Sequence, residues 1–127
     1  MKSDLTRQEK AMMLEERTLK FSESIIKFCN SLEYNSSIRV IINQLVRSAT
    51  SIGANYIEAN NSSSKKDFRN KIYICRKEAN ETWYWLRLMF GYYKDNIEIQ
   101  QLLQESQEFC LIFGKITGSL NGNGNSK

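Results

Sequence analysis

The chain contains no proline, and most of its 6 glycines fall near the C-terminus. Proline is the strongest breaker of a helix interior, so long helices are open to most of the 127 residues. The apolar residues use that freedom. After Leu14, the residues Thr18, Phe21, Ile25, Phe28 and Leu32 follow at alternating steps of four and three, which keeps one side of a helix apolar. The same rhythm runs through Ile38, Ile42, Leu45, Ala49, Ile52, Tyr56 and Ala59, and again through Phe68, Ile72, Cys75, Ala79, Thr82, Leu86 and Met89. A fourth series comprises Ile99, Leu103, Ser106, Cys110, Phe113, Thr117 and Leu120.

Capping residue types stand between these series: Asn35, Ser36 and Ser37 before the second, and Ser62, Ser63 and Ser64 before the third. Helix two is predicted to end near Asn60 or Asn61 and helix three near Tyr93, with a polar break at Lys94, Asp95 and Asn96. Links of roughly three to five residues force neighbouring helices to run antiparallel. The predicted fold is therefore all-α, an antiparallel up-down-up-down four-helix bundle. It forms one domain over residues 1–120, followed by a disordered tail at 121–127 (NGNGNSK). The expected core is Phe21, Ile25, Phe28, Leu32, Ile42, Leu45, Ile52, Tyr56, Phe68, Ile72, Leu86, Leu103 and Phe113.

Composition removes much catalytic chemistry. There is no histidine, so Ser/His/Asp and Cys/His nucleophile pairings and the Glu-x-x-His diiron motif lack their central part. Cys29, Cys75 and Cys110 form no C-x-x-C pair, and their odd number precludes a complete disulfide framework within one chain; buried, reduced thiols are expected. No metal-ligand or phosphate-loop spacing occurs. The expectation is a protein that is not an enzyme, with no cofactor and no metal. With neither a signal-peptide pattern nor an apolar run long enough to span a bilayer, a cytoplasmic location is expected.

Two polar bands stand out beside the apolar seams. On helix two, Gln44, Arg47, Ser51, Asn55 and Glu58 recur at steps of three and four; on helix three, Lys71, Ile74, Glu78, Glu81, Trp85 and Leu88 do the same. They fit an ionic network between helices or subunits, with Arg47 holding Glu78 or Glu81 and Asn55 fixing register. They also fit a site using the two carboxylates as acid and base. A small-residue cluster at Ser48, Ala49, Ser51, Gly53 and Ala54 marks a close helix approach, since Gly53 in a helix interior costs about 1 kcal/mol relative to Ala.

The net charge of +4 originates in helix three. There Lys66, Arg69, Tyr73, Arg76, Asn80, Trp83 and Arg87 interleave cations with aromatics on one stripe. Such a face can neutralise phosphates and stack bases, or it can be a solvated flank or an oligomer contact. Aromatic residues make up 11% of the chain, and Trp83, Tyr84, Trp85, Tyr92 and Tyr93 crowd one end of helix three. That is more than a narrow bundle encloses, so a homo-oligomer is expected.

The stretches QLVRSATSIGANYIEAN (44–60) and SKKDFRNKIYICRKEANETWYWLRLM (64–89) resemble the signature of the 23S rRNA intervening-sequence proteins, also called the four helix bundle protein family. The first carries the matching residues Gln44, Leu45, Arg47, Ser48, Ser51, Ile52, Ala54, Asn55, Glu58 and Ala59. The second carries Asp67, Phe68, Lys71, Lys77, Glu78, Ala79, Glu81, Thr82, Tyr84, Trp85 and Leu86. Where relatives usually have Leu-Pro between helices one and two, this chain has Leu32-Glu33. The resemblance implies a homopentamer, encoded in some relatives inside insertions of the large ribosomal RNA gene, with no established activity. It makes RNA or DNA the expected partner of the helix-three face, with a protein-interaction scaffold as the alternative, and no membrane role.

Overall fold

A computed structural model shows four helices: α1 (Arg7–Asn30), α2 (Ser36–Asn60), α3 (Lys65–Phe90) and α4 (Ile97–Asn125). The structure describes residues 4–125, with side chains through Gly122, and there is no strand among the described residues. Each helix starts where a side chain can accept from the unpaired N–H groups of the first turn. Thr6 and Glu9 form a reciprocal capping box before α1. The Asn35 side chain accepts from the Ile38 N–H at 3.0 Å, Ser64 from the Asp67 N–H at 3.1 Å, and Asn96 from the N–H groups of Glu98 and Ile99. α3 stops at Phe90, three residues short of the predicted end, because Gly91 and the following turn redirect the chain.

Each helix packs on the next, and α4 returns to α1, so α1 and α3 lie diagonally across the bundle without backbone contact. Of the expected core, Phe21, Ile25, Phe28, Ile42, Leu45, Ile52, Tyr56, Ile72, Leu86 and Phe113 are buried. Leu32, Phe68 and Leu103 are half-buried at its margin. Each fully buried large apolar side chain contributes roughly 1.5–3 kcal/mol.

The predicted seam of α4 holds at Ile99, Ser106, Phe113 and Thr117, which are buried, and needs correction at two positions. Leu102 and Phe109 point into the core in place of Leu103 and Cys110. The reason is the aromatic packing between α1 and α4: Phe109 meets Phe21 edge-on at 5.2 Å and stacks on Phe113 at 6.3 Å, which turns α4 toward α1. α4 also continues through 121–125 of the segment expected as a tail, where the Asn121 amide donates to the Tyr73 hydroxyl; Ser126 and Lys127 lie outside the described residues. Between α2 and α3, the buried Ser48 and Thr82 hydroxyls are hydrogen-bonded at 2.9 Å, and Thr82 donates to the Glu78 carbonyl at 2.7 Å, so neither polar group is stranded.

α1 and α2 approach each other closely at Gly53. A Cβ there would lie 2.7 Å from Thr18 Oγ1 and 3.1 Å from Thr18 Cβ. The glycine that weakens α2 as an isolated helix thus admits the β-branched Thr18 of α1.

Candidate nucleic-acid interface and polar seam

α3 separates its charges by flank. Its carboxylates Asp67, Glu78 and Glu81 turn toward α2, as the helical period places them, and Glu78 and Glu81 are both held there by Arg47. Arg47 Nη1 donates to Glu78 at 3.1 Å, Nη2 donates to Glu81, and Nε donates to the Gln44 side-chain oxygen at 3.1 Å. The Trp85 indole N–H donates to the same Glu81 carboxylate at 3.0 Å. Burial pushes the Glu81 carboxyl up, but the Trp85 hydrogen bond, Arg47 and Lys77 together outweigh it and hold it below its ordinary 4.5.

The remaining seam residues divide. Lys71 pairs with Glu58 at 2.6 Å. The Ser51 hydroxyl donates to the Arg47 carbonyl at 2.7 Å, and the Asn55 amide to the Ser51 carbonyl at 2.9 Å. Asn55 therefore bonds its own helix and does not fix register between helices. The expected bond from Arg47 to one glutamate is a bond to both. With the guanidinium satisfied on three sides and Glu78 buried against it, the seam has the geometry of a clamp between α2 and α3.

The other flank of α3 faces α4 and solvent. Lys66, Arg69, Arg76 and Arg87 are all exposed there, over about 32 Å of helix at 1.5 Å per residue. Lys66 and Arg69 have no hydrogen-bond or ion-pair partner among the described residues. Arg76 donates to the Thr117 hydroxyl at 3.1 Å, and Arg87 lies over the Trp83 ring at 4.7 Å. Tyr73 and Trp83 are half-buried; Tyr73 accepts from Asn121, and Trp83 lines a shallow hollow with Arg87, Leu103, Gln107, Glu108 and Leu111. One face of Trp83 is thus already occupied. The flank is a row of phosphate-binding cations more than a platform for stacking bases.

A second ionic cluster escaped the sequence reading. Arg17 of α1 donates to Glu105 at 2.8 Å through both Nε and Nη2, and also to Glu108, while lying 5.2 Å from the centre of the Phe109 ring. Glu108 also lines the hollow beside Trp83 and Arg87. Above Arg17, α1 and α4 part to leave a groove of about 790 Å3, with Phe21 and Leu102 at its floor. Among the described residues no group of three or more Cys, Asp or Glu side chains is placed to hold a metal ion, and no helix is long and apolar enough to cross a membrane.

Residues 10–115 match the family described as 23S rRNA-intervening sequence protein. The chain belongs to that family. A solved structure with the same fold is that of a protein of unknown function from the S23 ribosomal protein family of Bacteroides thetaiotaomicron. It is 31% identical, with a TM-score of 0.70 over 81% of this chain and 96% of that one. No curated protein matches the sequence. The family is one of unknown function and is not a known enzyme family.

Proposed function

We propose that this family member binds nucleic acid, RNA in the first instance, as a homo-oligomer, through the α4-side flank of α3, and acts by binding without turnover. The observation that carries the reading is the separation of charge on α3. Lys66, Arg69, Arg76 and Arg87 share one flank, while Glu78 and Glu81 lie on the other, held by Arg47. Glu108, the carboxylate beside Arg87 across the hollow, is itself paired with Arg17. The positive potential of the row is therefore not cancelled locally, and several copies in one assembly, a pentamer in the family pattern, would multiply it by avidity.

The test is fluorescence anisotropy of a labelled RNA over a salt series, with wild type and a Lys66→Gln/Arg69→Gln/Arg87→Gln variant. Binding through phosphates weakens steeply with salt, and the logarithmic slope falls by roughly 0.7–0.9 for each phosphate that is no longer neutralised. Binding that the substitutions leave unchanged would refute the α3 reading. Absence of binding would favour a protein-interaction scaffold, whose cation row is a solvated flank.

A further inference from the structure

We infer that one copy of this protein docks on the next by laying the outer face of its α1 against the outer face of α3 on the other copy. This rests on the self-association proposed above and names the surfaces that make it. Leu5, Met12, Leu19 and Ile26 recur at steps of seven along the side of α1 opposite the core, with Leu5 just ahead of the cap, and are 37–65% exposed. A seven-residue repeat keeps them in a nearly straight band along the helix. Scattered exposed apolar residues need no explanation, but an ordered band over about 21 Å of helix from Met12 to Ile26 does. Glu9, Glu16 and Glu23, also seven apart and exposed, border it, with Lys20 and Lys27 beyond them toward the α4 groove.

The matching surface lies diagonally across the bundle. On the outer side of α3, Tyr84 and Leu88, with Tyr92 just past the helix end, are 39–66% exposed. Lys77 and Arg87, both exposed, flank them on the same helix. Nearby Glu81 is tied to Arg47 and Trp85, so this surface is apolar and positive where the α1 band is apolar and bordered by carboxylates.

Pairing of α1 with α1 is the competing arrangement, and charge opposes it. An antiparallel pair that sets Met12 against Leu19 would bring Glu16 to Glu16 and Glu9 to Glu23 on the same flank. Because α1 and α3 face opposite sides of the bundle, contact between them is head-to-tail. Such contacts propagate into rings or filaments, with Arg87 at the edge of the contact and Lys66, Arg69 and Arg76 of the cation row left uncovered.

Two variants test this by sedimentation equilibrium: Met12→Asp/Leu19→Asp, which blocks the α1 face, and Tyr84→Asp/Leu88→Asp, which blocks the α3 face. All four sites are exposed, and circular dichroism verifies the fold. Each variant alone should sediment as a 14.8 kDa monomer. An equimolar mixture should form a one-to-one dimer and nothing larger, since each chain keeps the face the other lacks. If either variant alone still self-associates, the pairing of faces is wrong even though wild type assembles; a monomeric wild type would overturn the self-association as well. Should an aspartate variant fail to fold, Glu9→Gln/Glu16→Gln/Glu23→Gln serves in its place: it should weaken assembly, and an unweakened assembly would contradict the inference.

Discussion

Replacing Gly53 with alanine pits helix propensity against packing, and the structure decides the sign. In an isolated helix the change stabilises by about 1 kcal/mol. Here the new Cβ would meet Thr18 Oγ1 at 2.7 Å and Thr18 Cβ at 3.1 Å. Thr18 is buried, and its hydroxyl donates to the Glu15 carbonyl at 2.7 Å. A β-branched side chain in a helix has little rotamer freedom, so α1 and α2 must separate slightly. Overpacking of this kind costs roughly 1–3 kcal/mol, which outweighs the propensity gain and leaves a net loss of about 1 kcal/mol, or a Tm lower by about 4 °C for a domain of this size. Urea unfolding at fixed protein concentration measures it. The control is the double-mutant cycle with Thr18→Ala, which removes the nearest atom. In that background Gly53→Ala should be neutral or stabilising, with a coupling of about 1 kcal/mol or more. Gly53→Leu should abolish cooperative folding. A Gly53→Ala protein more stable than wild type, or effects that simply add, would refute the close-approach reading.

Two further outcomes follow from ionisation. Because the Glu81 carboxyl is held below its ordinary 4.5, its contribution to stability is present above that value and is lost as pH falls through the lower folded-state value. Stability of Glu81→Gln should therefore fall less steeply than wild type in acid below about pH 4.5, and parallel curves would contradict the Arg47–Glu81–Trp85 geometry. Burial pushes the Cys29 thiol up to about 11 and Cys75 up to about 12, and raises Cys110 as well. In the native protein at pH 8, Ellman's reagent should modify the half-buried Cys110 first and the other two only on unfolding; rapid labelling of Cys75 would show that its packing is wrong.

α2 and α3 were legible in the sequence because each carries one unambiguous apolar seam and a capping residue at its start. α4 was legible as a helix and in its seam positions Ile99, Ser106, Phe113 and Thr117, but not at Leu102 and Phe109. Its adjacent apolar pairs Leu102-Leu103, Phe109-Cys110 and Ile112-Phe113 give two phases of nearly equal apolarity, and the choice depends on Phe21, which sits in another helix. The Arg47 clamp could be read from spacing on neighbouring helices, although its grip on both glutamates depends on where the two carboxylates converge. Asn55 could not be assigned in advance, since an amide reaches its own preceding turn as readily as a neighbouring helix. Arg17 and its partner Glu105 are 88 residues apart, on helices whose meeting is set by closure of the bundle and by no local pattern. The cation row was legible by period alone; that Trp83 is already covered by Arg87 was not.

Photocrosslinking of a bound RNA carrying 4-thiouridine, with the adducts located by mass spectrometry, tests the proposed interface most directly. Adducts within residues 66–87, abolished in the Lys66→Gln/Arg69→Gln/Arg87→Gln variant, are the expected result. Adducts confined to α1 or α2, or an RNA that binds without marking α3 at all, would contradict it.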